Sequence, residues 1–474
     1  MLRLTVRLIL WLQLIQVSWV SVYGCEPFGP RPRRGLETVK QWRRLEFGFA
    51  NAQDRLKAEA AGNLQPEVST PVDVDVHYKV NGQRRIFVTI PRFGKGVPYT
   101  LALVTDQQTR NGPVLMPYPN FAWHNNNNNC DSITSVYNVA ISECNELWVM
   151  DSGIIDGQQI CPPQLLKFDL SNDRLLHRFR LPNNTYIPHA SLLIAPNLLV
   201  QDPPPCGKCK HTMIYIPDCR FHGLVMYDHQ INAAWRAEHR FMYPDPDYGR
   251  YTIAGESFTL MNGIFAASND KRNLYFHPKA SVSEYAVPLS VLNRRENWAN
   301  SVDAMEDQFK LLGKRNSQCA ASAMDSHNNL YCVNFNPIQL FAWNTKTPYT
   351  KRYFINLPGN ASELEFVSGI KVVRNPMGQE ELWLCSIRFQ KFFKRIMDFN
   401  EINRNVHCTE NFSHTKDVAL KHSLNPIAAA APSQLDLRLW TQIAWSTTWS
   451  SVGGSQGVAS LRVWLCKCAG SSAS

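Results

Sequence analysis

Six short apolar runs recur along the chain, each dense in Trp, Tyr, Val, Phe or Leu and each close to a turn signal. They read RRIFVTI around Ile86, NELWVMD around Leu147, TMIYIPD around Ile214, RNLYFHP around Leu274, NNLYCVNF around Leu330 and EELWLCS around Leu382. The anchors stand 61, 67, 60, 56 and 52 residues apart. Residues of these types in runs of this length suit strands, and no sustained helical stripe separates them. Self-similarity on this scale belongs to architectures whose repeating unit cannot bury its own face alone. The pattern predicts an all-β chain, a six-bladed β-propeller over residues 72–408, with the chain ends closing the ring.

The flanks differ in character. Arg3 and Arg7 precede an apolar stretch from Leu8 to Val22, and Val22-Tyr23-Gly24 supplies small residues ahead of Cys25. That order of basic, apolar and cleavable segments predicts a secretory signal peptide over 1–24. Gln13 and Gln16 interrupt the stretch, which is shorter than the roughly 20 residues of a spanning helix, so no membrane anchor is expected. Residues 25–71, with an amphipathic segment from Val39 to Phe47, read as an N-terminal lead-in packing on the propeller. Residues 409–474 carry an alanine run at 428–431 and a Ser-, Gly- and Trp-rich end. They read as a low-complexity, disordered tail. The tract Asn125–Asn129 reads as a loop.

Secretion changes how the 13 cysteines are read, because an oxidising compartment favours disulfides over metal ligation. Cys206-Gly-Lys-Cys209, with Cys219 nearby, lacks the second C-x-x-C a zinc knuckle requires, so all three are expected in disulfides or crosslinks and no metal is expected. Cys319 and Cys332 flank the turn at Asp325–Asn329 and are placed to pair across a hairpin. Cys130, Cys144 and Cys161 form another local group, though connectivity does not follow from sequence. Asn183, Asn360 and Asn411 head N-x-S/T sequons and are candidate glycosylation sites. At 44% hydrophobic and 11% aromatic residues the chain has ample core material. Its net charge of +10 is scattered, with no long Lys/Arg run, which argues against nucleic acid as a partner.

Several segments, in order along residues 72–406, resemble the insect yellow/major royal jelly protein family: CDSITSVYNVAISECNELWVMDSG (130–153), CPPQLLKFDLSNDRLLHRFRLP (161–182), HGLVMYDHQINAAWR (222–236), NLYFHPKASVSEYAVPLSVL (273–292) and AWNTKTPY (342–349). The resemblance implies a six-bladed propeller, secretion, and roles in cuticle pigmentation, eggshell hardening, nutrition or ligand capture. It links some members to dopachrome conversion. In amine-binding salivary members an Asn two residues before a Phe lines the central cavity. Here Phe389 is kept and Ile387 takes the polar place. Asn262 stands where the family usually has Asp. By the same resemblance, Phe389, Arg388 and Asn262 are expected to line a central small-molecule pocket.

For catalysis the candidates are Asp151, His189 and His277, with Glu143 and Glu284 beside family motifs. No nucleophile elbow, H-E-x-x-H or phosphate loop accompanies them, and no cofactor is expected. The sequence thus points to a secreted protein acting in an extracellular matrix, such as eggshell or cuticle. It would do so by binding or crosslinking rather than catalysis, with matrix proteins and a small aromatic ligand as partners. The alternative is a dopachrome-converting isomerase of melanin synthesis.

Overall fold

The computed structural model describes residues 35–124 and 130–410. The signal peptide, the Asn125–Asn129 tract, Asn411 and almost all of the tail lie outside them.

Six antiparallel sheets follow one another along the chain. Blade 1 comprises Asp73–Tyr78, Arg84–Thr89, Leu101–Thr109 and Gly112–Pro117; blade 2, Val136–Ile141, Glu146–Asp151, Gln164–Asp169 and Arg174–Arg180. Blade 3 comprises Asn197–Val200, Thr212–Asp218, Gly223–Asp228 and Ala233–Glu238; blade 4, Ile264–Asn269, Asn273–Pro278, Ser283–Pro288 and Lys310–Lys314. Blade 5 comprises Ser322–Met324, Asn329–Phe335, Ile338–Asn344 and Phe354–Asn356. Blade 6 holds Phe366–Arg374, Glu380–Ile387 and Arg404–Glu410. Its fourth, outermost strand is Glu37–Trp42, from the other end of the chain. The fold is the expected six-bladed propeller.

All six sequence anchors fall in the second strand of their blades. That strand is covered by its own sheet neighbours at both edges and by adjacent blades on both faces. It therefore reads as a continuous apolar run rather than an alternating one. Glu146–Asp151 and Asn329–Phe335 are buried at every position, whereas the outer strand Arg174–Arg180 is mostly exposed or half-buried. The hairpins leading into these strands turn on Asn145 (φ 61°) and Asn328 (φ 66°), a left-handed conformation that Asn tolerates well.

The segment read as a lead-in is part of the ring. Glu37–Trp42 pairs with Arg404–Glu410, and Glu46–Phe47 adds in parallel beside Gly112–Pro117 of blade 1. Trp42 is 1% exposed and its indole Nε1 donates to Pro113 O at 2.8 Å. Arg404, also buried, donates to Arg43 O (2.8 Å) and Ser69 O (2.7 Å). Blades 6, 1 and 2 meet at Asp73, whose Oδ2 takes Lys371 Nζ at 2.8 Å and the Val139 amide at 3.1 Å. Among the described residues no helix is long and apolar enough to cross a membrane.

Cys130 pairs with Cys161 and Cys319 with Cys332, the latter across the hairpin as expected. Cys144 leaves its local group to pair with Cys209, joining loops of blades 2 and 3. Cys206 is also disulfide-bonded. Cys219 is a buried free thiol, which corrects its expected crosslinking. Sequence could not show this, because its burial depends on blades brought together only in the ring. Removing the blade-to-blade link in a Cys144→Ala/Cys209→Ala double variant should lower stability by about 2–4 kcal/mol, read as a lower unfolding midpoint. An unchanged midpoint would deny the link any stabilising role.

Candidate functional site

The centre of the ring has two unlike halves, one open and one packed with aromatic rings. One half is a cavity of about 830 Å³. Its walls include Asp73, Asp75, Asn138, Ser368 and Lys371. Burial, with Asp73 adding to it and Lys371 opposing it, pushes the Asp75 carboxyl up to about 7. Asp73 Oδ1, Asn138 Oδ1 and Ser368 Oγ are buried there without a hydrogen-bond partner.

The other half is aromatic. Phe93, Phe366, Phe258 and Phe392 gather around Phe389, with ring centroids 4.8–6.5 Å apart. The short helix Phe389–Lys394 and the hairpin Arg250–Thr259 cover this end, joined by a Lys394–Glu256 ion pair and a Phe258–Phe393 contact at 5.3 Å. Phe265 belongs to both halves: it lines the cavity and flanks the aromatic end.

One cation sits within the rings. Lys279 follows directly on the second strand of blade 4, buried from Leu274 to Pro278, and its amide donates to Gly263 O at 2.9 Å. The side chain is 3% exposed. Its Nζ stands 4.8 Å from the Phe366 centroid, 4.9 Å from Phe389, 5.1 Å from Phe265 and 5.7 Å from Tyr251. It has no carboxylate or hydrogen-bond partner among the described residues. Lysine is seldom so buried unless it is paired. Burial pulls its ammonium down to about 7, against a smaller opposing effect of Cys219. The ring faces favour the charged form, by about 0.5–2 kcal/mol each. Burial also pushes the Cys219 thiol up to about 12, so it stays protonated at neutral pH.

The sequence profile described as "Major royal jelly protein" matches residues 134–417. The chain is 30% identical over 386 residues to the "Dopaminechrome tautomerase" of Drosophila melanogaster, covering 78% of this chain and 80% of that one. To "Major royal jelly protein 9" of Apis mellifera it is 30% identical over 378 residues, covering 77% and 85%. To "Protein yellow" of Drosophila simulans it is 28% identical over 399 residues, covering 78% and 68%. The chain belongs to the yellow/major royal jelly protein family.

The residues singled out from sequence are dispersed in this family member. Phe389 is in the aromatic end, against Lys279. Asn262 is beside it, its Nδ2 3.6 Å from Cys219 Sγ. Arg388 instead ion-pairs with Glu365 at 3.0 Å and with Glu401. Ile387 is buried in the apolar core. Asp151 is a structural staple: its carboxylate accepts from the amides of Thr134 (2.9 Å), Ser135 (2.8 Å) and Gly153 (3.1 Å) and from Gln164 Nε2 (3.0 Å). His189 is exposed on a loop, its backbone amide donating to Gln159 Oε1. His277 is buried between Glu284 (Nδ1 to Oε2, 3.0 Å) and the disulfide sulfur of Cys319 (3.3 Å). Burial holds its imidazole neutral, and Arg315 takes Glu284 at 2.8 Å. Glu143 is at the wall of the polar cavity. Asn183 and Asn360 are exposed. Lys279 was missed. Its one sequence signal is position, immediately after the apolar run Leu274–Pro278.

Proposed function

We propose that this family member is a secreted protein of an extracellular matrix, such as eggshell or cuticle, whose channel holds a small aromatic compound. Binding, delivery or crosslinking among matrix proteins would then be its work. The observation that carries the reading is the aromatic end formed by Phe265, Phe366 and Phe389 beside a cavity of about 830 Å³. That volume is within the usual range for small-molecule pockets, roughly 300–1,000 Å³. The disulfides and the leader segment support secretion. Calorimetry of the purified protein with a neutral catechol should show saturable binding that weakens about tenfold in Phe389→Ala, from the loss of one stacking face. Equal affinity in that variant would place the ligand elsewhere. Expression confined to ovarian follicle cells would favour eggshell.

One observation favours a second reading, a dopachrome-converting tautomerase. The reaction takes a proton from a ring carbon and returns one to a quinone oxygen, so a single base poised near neutrality can serve. Lys279 is such a base, and a relative is named for the related conversion. Loss of dopachrome colour should then survive His189→Ala and fall about a hundredfold or more in Lys279→Met. Colour loss at the uncatalysed rate in the wild type would remove this reading.

A further inference from the structure

We infer that Lys279 is a covalent capture point, forming an imine with the carbonyl of a planar aromatic aldehyde held against Phe265, Phe366 and Phe389. This rests on the reading of the channel as an aromatic-ligand site, and it names the ligand class.

The surroundings of the amine carry it. The amine has rings on several sides and no anion, so nothing holds it as a structural ion pair. Phe265, one of the rings around the amine, also lines the cavity of about 830 Å³, so an aromatic aldehyde entering from that cavity would stack beside the nucleophile. The neighbouring nucleophile, Cys219, is kept as the protonated thiol and is not a competitor at neutral pH. Tyr251, whose ring flanks the amine, keeps a buried hydroxyl without a hydrogen-bond partner. That hydroxyl is a free donor for a polar ligand atom. Burial in an apolar pocket is also the recognised way to leave a lysine amine neutral and nucleophilic.

The chemistry balances without an oxidant or reductant. The lone pair of neutral Nζ attacks the carbonyl carbon, forming C–N while the C=O π pair moves to oxygen. Proton transfer from nitrogen to that oxygen gives a carbinolamine. A second N–H proton and the hydroxyl leave as water, and the C=N bond forms. The net products are one imine and one water, and hydrolysis reverses the step.

The test is reductive trapping of the full-length protein with 3,4-dihydroxybenzaldehyde and cyanoborohydride, followed by peptide mapping. At pH 7 an amine titrating near 7 is about half neutral, roughly a thousandfold more than a surface lysine titrating near 10.4. Lower basicity reduces its reactivity, so Lys279 is expected to be labelled at least tenfold faster than any surface lysine. Its labelling should reach half-maximum near pH 7, and no adduct should form at this position in Lys279→Met. Labelling no faster than at surface lysines, or a profile still rising through pH 10, would overturn the inference. Neither wild-type result depends on whether the variant folds. Saturable catechol binding without an adduct sinks imine formation alone. Absence of both sinks the aromatic-ligand reading as well.

Discussion

Lys279→Met should turn a channel that rejects aromatic amines into one that accepts them. In the native protein the lysine's own ammonium occupies the aromatic box, where an amine ligand would have to bring a second cation. Two unit charges about 5 Å apart at an effective dielectric near 20 repel by about 3 kcal/mol, which is more than a hundredfold in affinity. Ile387 adds to the exclusion, because it supplies no side-chain acceptor; a charge-assisted bond of that kind is worth roughly 1.5–3 kcal/mol. Calorimetry with serotonin at pH 6, where Lys279 is charged, should show weak binding to the wild type and at least thirtyfold tighter binding to Lys279→Met. Wild-type affinity should itself rise between pH 6 and pH 8, as the lysine loses its proton near 7. Submicromolar serotonin binding by the wild type at pH 6 would contradict this exclusion.

The same substitution bears on stability, with a definite sign. The folded lysine titrates near 7 and the unfolded one near 10.4, so between these values the unfolded chain holds more protons. Stability from this group therefore rises with pH from about 7 to 10, and the burial penalty is fully present below 7. At 1.36 kcal/mol per unit over about three units, Lys279→Met should stabilise the protein by up to about 4 kcal/mol at pH 6, less what the ring faces return. The ring faces are the only partners of this ammonium among the described residues, and it has no carboxylate.

The second large effect lies at the ring closure. Trp42→Ala should destabilise by about 3–5 kcal/mol, through a cavity in the core and the unpaired carbonyl of Pro113. Deleting residues 36–42 should abolish folding, since blade 6 loses its outer strand and the Asn403 amide loses the Trp42 carbonyl. The measurement is denaturant unfolding of the purified variants. A truncated protein with the wild-type midpoint would show that the ring closes without this strand.

How much was legible follows from where each residue sits. The second strands announced themselves because both of their faces are buried, leaving apolar runs such as LWVM at 147–150. The closing strand Glu37–Trp42 did not, because an outermost strand keeps polar side chains on its solvent side: only Trp42 in it is fully buried. Its pairing with residues more than 360 positions away is set by the circular topology, which no local pattern encodes. The pairing of Cys144 with Cys209 was hidden for the same reason. At the site, Phe389 and Asn262 came from family resemblance and both stand near Lys279. Arg388 came with them, but its guanidinium is taken by Glu365 and Glu401. Lys279 itself was not legible, because a lysine reads as surface until tertiary packing places four rings around it.

Hydrogen exchange of the full-length protein, with and without saturating 3,4-dihydroxybenzaldehyde, tests most directly whether the aromatic end of the channel holds the ligand. Protection is expected in the segments carrying Phe265, Lys279, Phe366 and Phe389, with the outer strands unchanged. Protection confined to outer strands, or none at a saturating concentration, would contradict a ligand site in the channel.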